Sequence, residues 1–394
     1  MIKRIHYQTI TNRIKEPRRF IQVLLGPRQI GKSTLIDQVT EDLTIPHTTY
    51  QADAIPGATA EWISDIWESE RMKMATNHES ERLLVIDEIQ KLTNWSEFVK
   101  KEWDRDSREK RKLKVVILGS SRLLIQKELT ESLSGRYELI RMGHWTFKEM
   151  QDAFGFDIDE YIYFGGYPGT ASLISDEMRW KNYMRDSIIE AAISKDVLMT
   201  TNIYKPMLLR QLFELGCFYS GEMISLNKIL GQLQDAGNVT TLANYLHVLD
   251  ESKLLVGLQK YASDNARKYN SIPKFQVYNN ALRNAYSSVT FAEARTNREL
   301  WGRLVESAIG AYLVGDAESR GMKIYYWRDK AAEVDFVIEK HKKLVGIEVK
   351  SGKRTANKGL QIFREQFKPQ KTLVVGSGGL PVEDFLKMDL ELLF

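Results

Sequence analysis

Three short runs of apolar residues stand out in the first part of the chain, at 21–25, 83–86 and 115–118, with helix-like segments between them. Each run is rich in Val, Ile and Leu and is not broken by alternating polar residues. This pattern is typical of strands that are buried on both faces of a parallel sheet. Residues 137–142 could supply one further strand. The pattern therefore predicts an α/β domain over residues 1–150, with helices covering a parallel sheet.

A mostly helical region is predicted for residues 151–290. Three amphipathic segments precede an apolar run at 253–258, and helix, turn, helix, strand is the order of a winged helix. The third segment would then enter a DNA groove, but its exposed His247 and Asp250 are poor phosphate contacts. A helical lid and spacer between two catalytic domains is an equal alternative. The three segments are 205–219, 226–234 and 241–251.

The last part of the chain, residues 291–394, predicts a small α/β domain of its own. One helix comes first, three strands follow, and another helix precedes the last strand. These elements are expected at 298–313, 323–326, 334–338, 344–349, 357–367 and 372–375. A length of 394 residues fits this division into domains at 1–150, 151–290 and 291–394.

Composition excludes several classes of protein. Hydrophobic residues make up 43% of the chain and charged residues 27%, which is ordinary globular composition and argues against wholesale disorder. The net charge of +4 permits a nucleic-acid partner without requiring one. No apolar stretch is long enough to span a membrane, and the single cysteine, Cys217, excludes an internal disulfide or a multi-cysteine metal site. A soluble cytoplasmic protein without a membrane partner is expected.

A phosphate-binding motif follows the first apolar run. Residues 26–33, Gly-Pro-Arg-Gln-Ile-Gly-Lys-Ser, fit the pattern G-x4-G-K-[ST] between a buried strand and a helix. Backbone N–H groups and the helix N-terminus would surround the phosphates of ATP, Lys32 would bind the β- and γ-phosphates, and Ser33 would ligate Mg²⁺. A chance match in a glycine-containing turn is the alternative, which the flanking strand and helix disfavour. The cofactor-binding residues predicted here are Gly26, Pro27, Arg28, Gln29, Ile30, Gly31, Lys32, Ser33 and Thr34.

Acidic residues end the second apolar run. Asp87 is predicted to share the metal with Ser33, and Glu88 to polarise the attacking water, which is the logic of a hydrolase and not of a kinase. Two solvated acids that cap a strand are the alternative. After the third run, Ser120 could contact the γ-phosphate, although a hydroxyl in such a turn is more often a helix cap.

An arginine lies just before the expected fourth strand, in Ser134-Gly135-Arg136. Such an arginine could stabilise transition-state charge on the nucleotide of a neighbouring subunit, which would make Arg136 a catalytic residue of a homo-oligomer. A surface arginine without this role is an equal alternative.

Together these segments resemble an AAA-type ATP-binding family of bacteria and archaea, over nearly the whole chain. The resemblance implies a P-loop ATPase fused to a C-terminal domain of unknown function. It also implies a phosphate-loop strand near the middle of the sheet, an Asp87 strand not directly beside it, and Arg136 as a finger in an oligomer. Ser33 stands where many members of the family have threonine. Serine also has a hydroxyl group, so the metal-binding oxygen is kept. The segments that carry the resemblance are 26–33, 87–91, 119–121, 133–136 and 165–168.

A second group of charged residues is found in the C-terminal domain. Glu348 and Lys350 are two apart on one strand and so share a face, and Asp335 belongs to the preceding strand. Two carboxylates beside a lysine suit Mg²⁺-dependent phosphodiester hydrolysis, with Lys350 orienting the water. This order resembles the PD-(D/E)XK nuclease superfamily, which implies that Glu306 on the preceding helix is a further metal ligand. A salt bridge between Lys350 and the acids is the alternative.

The sequence thus predicts a Mg²⁺-dependent ATPase, which converts ATP and water to ADP and phosphate, coupled to a nuclease-like domain that acts on DNA or RNA. The basic segment 350–358, with Lys353 and Arg354, is the expected nucleic-acid contact, or else a solvated turn. The main alternative is a nucleotide-dependent switch or scaffold in signalling or defence, with an inactive C-terminal domain. A small-molecule kinase is disfavoured by Glu88 beside Asp87.

Overall fold

A computed structural model describes residues 2–54, 57, 59–120, 122–198, 203–233, 237–264, 271–352 and 358–394. The chain divides into two compact units, Met1–Gly143 and His144–Phe394. Among the helices of the described ranges, none has both the length and the apolar character that crossing a membrane requires. The division of the second unit near residue 290 stays a prediction.

The first unit contains a five-stranded sheet, in which every pair of neighbouring strands is parallel. The strand order is β2-β3-β4-β1-β5, so β4 separates the phosphate-loop strand β1 from the Asp87 strand β3. The family resemblance implies two of these features, a phosphate-loop strand near the middle of the sheet and an Asp87 strand that is not directly beside it. The strands are β1 (Ile21–Leu25), β2 (His47–Gln51), β3 (Arg82–Asp87), β4 (Leu113–Gly119) and β5 (Tyr137–Arg141). The helices are α1 (Tyr7–Lys15), α2 (Lys32–Glu41), α3 (Glu61–Thr76), α4 (Trp95–Arg108) and α5 (Arg122–Ser132).

Burial explains which strands could be predicted. Every residue of β1, β3 and β4 is buried, so these central strands are almost entirely apolar. Strand β2 forms one edge of the sheet and alternates between exposed and half-buried residues. Its sequence, His-Thr-Thr-Tyr-Gln, lacks an apolar run, and the strand was not predicted.

The second unit begins with helices and ends with a mixed α/β region. Its helices are α6 (Phe147–Phe154), α7 (Ile158–Phe164), α8 (Glu177–Tyr183), α9 (Pro206–Phe218), α10 (Leu226–Leu230), α11 (Val239–Glu251), α12 (Asn280–Asn284), α13 (Phe291–Thr296), α14 (Arg298–Ala317), α15 (Lys358–Phe367) and α16 (Val382–Lys387). Its strands are β6 (Leu255–Leu258), β7 (Lys274–Val277), β8 (Lys323–Asp329), β9 (Ala332–Lys340), β10 (Lys343–Lys350) and β11 (Lys371–Gly376). Two π-helical segments, Met184–Ile189 and Ala192–Leu198, follow α8.

Helices α9, α10 and α11 are followed by an antiparallel hairpin of β6 and β7. This is the element order of a winged helix, although β7 was not predicted from the sequence. Helix α10 is shorter than the predicted segment 226–234, whose last residue, Gln234, is outside the described residues. The hairpin packs against α11 and α14 within the same unit.

The C-terminal sheet has the order β11-β10-β9-β8. Strands β8, β9 and β10 are antiparallel neighbours, and β11 joins β10 in parallel after α15. The predicted strands and helices of this region are all present, with ends that differ by a few residues. Buried Val334, Val337 and Phe363 form part of the core between this sheet and α15. The sheet holds Asp335 and Glu348 on adjacent strands.

The turn 165–168 closes tightly on its neighbours in the second unit. A side chain at Gly166 would bring a Cβ atom to 2.1 Å from the carbonyl oxygen of Trp145, which explains the glycine. The Trp145 N–H donates to the Gly166 carbonyl, and the Gly166 N–H donates to the side chain of Asn279. The shape of this turn therefore depends on close backbone contact.

Candidate functional site

The phosphate loop connects the buried strand β1 to α2, which begins at Lys32. Gly31 has φ of 81°, in the left-handed region that glycine adopts without strain, and ends the loop as the residue before the helix. The Lys32 ammonium group donates to the carbonyl oxygens of Gly26 at 3.0 Å and Pro27 at 2.8 Å. The lysine head group is thus held inside the loop, where phosphate oxygens could take over from these carbonyls as its acceptors.

Ser33 and Asp87 meet at the carboxyl edge of the sheet. The Ser33 hydroxyl donates to Oδ2 of Asp87 at 2.5 Å, and the other carboxylate oxygen, Oδ1, accepts the Glu88 N–H at 2.8 Å. Asp87 is 5% exposed. A hydroxyl oxygen next to a carboxylate is an oxygen donor set of the kind that Mg²⁺ prefers, so these residues fit the predicted metal.

Glu88 is held by a residue that the sequence analysis missed. The Gln90 side-chain amide donates to Glu88 Oε2 at 2.6 Å and to the Ser120 hydroxyl at 3.1 Å, and the Ser120 hydroxyl lies 3.4 Å from the same carboxylate oxygen. Arg28 is 3.9 Å from Glu88. The sequence feature that could have identified Gln90 is its position two residues after Glu88, in Asp-Glu-Ile-Gln-Lys. The structure places Gln90 in a short 3-10 helix that follows β3. Ser120 thus contacts the catalytic candidate Glu88.

Arg136 makes a bidentate ion pair within the first unit. Its guanidinium nitrogens lie 2.8 and 2.9 Å from the two carboxylate oxygens of Asp104 on α4. The hydrogen bond from Arg136 lowers the pKa of Asp104 below its usual range. Both side chains remain about one third exposed, at 31% and 37%. The predicted role of Arg136 at a neighbouring nucleotide stays a prediction.

In the second unit, Asp335 and Glu348 lie on the adjacent strands β9 and β10. Asp335 Oδ2 accepts the Val349 N–H at 2.7 Å, and the Lys350 ammonium group donates to Glu348 Oε1. The other carboxylate oxygen of Glu348, Oε2, is buried and has no hydrogen-bond partner among the residues that the structure describes. Glu348 and Lys350 share a face, as expected from their spacing. The salt bridge between them is the alternative that the sequence left open, and it is present.

Glu306, the third predicted metal ligand, forms an ion pair in this structure. Its carboxylate lies 2.5 Å from the ammonium group of Lys274, a strand residue that the sequence analysis did not select. Within the described residues, no three His, Cys, Asp or Glu side chains are grouped so that they could hold a metal ion. The role of Glu306, Asp335 and Glu348 as metal ligands stays a prediction, and the structure adds that Glu306 is paired with an internal cation.

The electrostatics of this cluster reflect burial among like charges. Burial raises the pKa of Asp335 well above its usual range, Glu306 and Glu348 raise it further, and Lys274 opposes them. Burial also raises the pKa of Glu333, against the effect of Lys274. Carboxyl groups that resist ionisation for these reasons gain from a nearby cation.

Other predicted residues are placed as follows. Cys217 is buried in α9, and burial raises the pKa of its thiol well above the usual value, which fits packing and not reactivity. In the basic segment 350–358, Lys350 pairs with Glu348, whereas Lys353 and Arg354 are outside the described residues.

Three known families match successive parts of the chain. Residues 18–151 match the family described as AAA domain, residues 155–293 a Domain of unknown function (DUF8612), and residues 301–384 a Domain of unknown function (DUF4143). The first match and the strand order of the sheet agree. Residues 18–151 are therefore similar to AAA-type P-loop domains.

Relatives of this chain are found in bacteria and archaea. An uncharacterized protein of Haemophilus influenzae is 24% identical over 282 residues, which are 67% of this chain and 68% of that protein. One of Methanocaldococcus jannaschii is 23% identical over 341 residues, 81% of this chain and 72% of that protein. Among solved structures, the RuvB Holliday junction branch migration motor of Thermotoga maritima is 16% identical, with a TM-score of 0.34, over 64% of this chain and 86% of that chain.

Proposed function

We propose that the first unit binds ATP with Mg²⁺ and hydrolyses it to ADP and phosphate. The observation that carries this proposal is the 2.5 Å contact between the Ser33 hydroxyl and Asp87 Oδ2, directly beside the phosphate loop. Ser33 and Asp87 would hold Mg²⁺, which when bound neutralises phosphate charge. Lys32 would exchange its loop carbonyls for phosphate oxygens.

Glu88 is the proposed general base of this reaction. The Gln90 amide donates to the Glu88 carboxylate at 2.6 Å, and the Ser120 hydroxyl lies 3.4 Å from the same carboxylate oxygen. These two contacts would fix the carboxylate near the phosphate loop. From there Glu88 would orient a water molecule and accept its proton as the water attacks the γ-phosphate. Arg136 would add transition-state stabilisation from a neighbouring subunit of a homo-oligomer.

An ATPase assay tests this proposal on the full chain. Lys32→Ala is expected to weaken ATP binding roughly 10- to 100-fold, because a charge-assisted hydrogen bond contributes about 1.5–3 kcal/mol. Glu88→Gln should keep ATP affinity and lower turnover by about 100-fold or more. Lys91→Ala, at an exposed lysine just beyond the site, is the matched control. Unchanged turnover in both Lys32→Ala and Glu88→Gln would overturn the proposal.

For the C-terminal region we propose a PD-(D/E)XK nuclease-like site that binds one divalent cation on Asp335 and Glu348 and takes DNA or RNA. Its support is Oε2 of Glu348, which is buried without a hydrogen-bond partner within the described part of the chain. Glu348 lies on the strand next to that of Asp335, in a sheet of three antiparallel strands and one parallel strand. Lys350 would orient the attacking water. ATP binding in the first unit would control access of nucleic acid to this site. The three functional regions would be residues 1–150, 151–290 and 291–394.

Incubation of DNA and RNA with the full chain and Mg²⁺ or Mn²⁺ tests the second part. Asp335→Ala should abolish metal-dependent cutting, whereas Asp329→Ala, an exposed acid at the end of β8, should leave it unchanged. Cutting that persists in Asp335→Ala would overturn the assignment of this site.

A second candidate function is a nucleotide-dependent switch or scaffold in which the C-terminal region binds a partner without chemistry. The pairing of Glu306 with Lys274 favours it, because an internal cation already balances one acid of the cluster. Slow ATP hydrolysis, ATP-dependent oligomerisation and no metal-dependent cutting would together support this candidate.

A further inference from the structure

The segment 2–7 is held in place at both of its ends within the first unit. The Gln38 side chain of α2 donates to the main-chain oxygen of Ile2 at 3.2 Å. At the other end, the ring nitrogen Nε2 of His6 lies 3.1 Å from the main-chain oxygen of Arg141, the last residue of β5. The residues in the middle of the segment are therefore carried to a fixed place between α2 and the end of β5.

Arg4 reaches from this segment to the phosphate loop. One guanidinium nitrogen, Nη1, donates to the main-chain oxygen of Ile30 at 2.9 Å, and the other, Nη2, donates to the main-chain oxygen of Gly143 at 3.3 Å. Arg4 is only 4% exposed, so the side chain lies inside the protein. The planar fork of a guanidinium group suits two acceptors at fixed positions. Arg4 thus joins the phosphate loop to the residues that follow β5.

The contact with Ile30 determines which way one peptide group of the loop faces. The peptide bond between Ile30 and Gly31 is trans. In a trans peptide the carbonyl oxygen of one residue and the N–H of the next point to opposite sides. The Ile30 carbonyl is turned inward to the buried guanidinium group, so the Gly31 N–H is turned away from it. Gly31 is the residue before α2, where a phosphate site needs N–H groups that face the ligand.

Packing holds the rest of the loop against the end of β5. A Cβ atom at Gly26 would lie 2.5 Å from the main-chain oxygen of Met142 and 2.7 Å from Cδ1 of Ile30, which explains the glycine. The Ile30 side chain is itself fully buried, and the Met142 N–H donates to the carbonyl oxygen of Leu25 at 2.7 Å. These contacts fix the position of the loop, and the hydrogen bond from Arg4 adds the direction of its peptide group.

We propose that Arg4 is a positioning residue for ATP binding: it holds the Ile30 carbonyl on the buried side of the phosphate loop and so keeps the Gly31 N–H directed towards the phosphates. This inference rests on the ATP site proposed above. It adds a residue that lies outside 18–151, the part of the chain that matches the AAA domain. Arg4 acts through the loop and not by contact with the nucleotide.

Loss of Arg4 should weaken nucleotide binding without slowing the chemical step. The N–H groups of the loop hold the phosphates in the ground state and in the transition state alike, and loss of such uniform binding raises KM while kcat is unchanged. A purely structural role would have a different effect, because a smaller folded fraction lowers the measured kcat and leaves KM as it was.

Calorimetry of the full chain with Mg²⁺ and a non-hydrolysable ATP analogue tests the inference, together with steady-state ATPase kinetics. Arg4→Met should raise the Kd for the analogue and the KM for ATP by about tenfold, the loss expected for one charge-assisted hydrogen bond. Lys3→Met is the matched control, since it removes a positive charge from the adjacent residue, which is exposed and pairs with Asp42. It should bind the analogue within about twofold of the parent, because an exposed ion pair contributes little.

A second variant keeps the test decisive if Arg4→Met does not fold. Arg4→Gln places a neutral amide on a shorter side chain that cannot serve both carbonyls, and it should raise the Kd by about threefold or more. Affinity equal to that of the parent, in a folded Arg4→Met or Arg4→Gln, would overturn the role of Arg4. A fall in kcat with KM unchanged would overturn it too, because that result shows a structural role alone.

Failure of the ATP site is distinguishable from failure of this inference. The parent should bind the analogue, and Lys32→Ala should lose affinity. If the parent binds no analogue, or if Lys32→Ala binds it as tightly as the parent, the proposed ATP site is wrong and the role of Arg4 fails with it. If Lys32→Ala loses affinity and Arg4→Met does not, only the role of Arg4 is wrong.

Discussion

The hydroxyl of Ser33 lies 2.5 Å from Oδ2 of Asp87, although the two residues are 54 positions apart in the chain. The contact arises because β1 and β3 are parallel strands of one sheet, on either side of β4, and the segments that follow them emerge at the same edge. Side chains at the carboxyl ends of such strands are the usual place for a ligand site in an open α/β sheet. The consequences of this arrangement can be measured.

Two substitutions of Ser33 should show whether ATP binding depends on the hydroxyl group of this residue or on the size of its side chain. Ser33→Ala is expected to weaken Mg²⁺-dependent ATP binding by roughly tenfold, because a metal-binding oxygen is lost, whereas Ser33→Thr keeps that oxygen and should bind within about twofold of the parent. Calorimetry with a non-hydrolysable ATP analogue measures both. Binding in EDTA is the control and should be the same in all three proteins; an equal loss with and without Mg²⁺ would contradict the metal role.

Gln90 should act on turnover through Glu88. Gln90→Leu removes the 2.6 Å hydrogen bond to the Glu88 carboxylate, and we expect kcat to fall by about tenfold while KM is unchanged. Steady-state ATPase kinetics across pH measure the effect, since a displaced base also changes the pH profile. Lys91→Ala, at the next residue, should retain the parent values. A rise in KM without a fall in kcat would show that Gln90 contributes to binding instead.

Arg136 should be tested by mixing subunits. Arg136→Ala is expected to lower ATP hydrolysis by about a thousandfold without a change in ATP affinity, because a finger arginine acts on transition-state charge. Asp104→Asn, which removes only the ion-pair partner, should keep most activity. A mixture of Arg136→Ala and Glu88→Gln subunits should regain turnover, because a subunit with an intact Glu88 can receive Arg136 from its neighbour. A mixture as inactive as its components would rule out action between subunits.

Glu70 should make the stability of the protein depend on pH. Burial by itself would raise the pKa of Glu70, but hydrogen bonds from Arg82, Lys73 and Tyr50 outweigh burial and lower it below its usual range. A lowered carboxyl pKa adds stability above the unfolded value of about 4.3, and that stability is lost as the pH falls through the folded value.

Glu70→Gln should therefore reduce the free energy of unfolding by about 3 kcal/mol at pH 7, since Glu70 is 0% exposed and a buried ion pair is broken. The difference in the free energy of unfolding between the parent and Glu70→Gln should shrink as the pH falls below about 4. Urea unfolding followed by tryptophan fluorescence measures it, with the exposed Asp65→Asn on the same helix as control. A difference that stays constant down to pH 3 would contradict the ionised role of Glu70.

Much of the first unit could be predicted because its signals are local. The central strands β1, β3 and β4 are buried on both faces, so each one must be apolar whatever its neighbours are. The phosphate loop needs its glycines and Lys32 for reasons that lie within one strand, one turn and one helix. The separation of the phosphate-loop strand from the Asp87 strand came from the family resemblance and not from the residues alone.

What the residues by themselves could not reveal depends on partners that are far apart in the chain. Strand β2 is polar because it forms an edge, and Gln90 matters because Ser120, at the end of another strand, lies beside Glu88. A lysine in a short strand is expected to be solvated, since burial of an unpaired charge is costly. Lys274 is buried because the fold brings Glu306 and the main-chain oxygen of Asp335, 32 and 61 residues away, to its ammonium group. Folding thus decided which charge is buried.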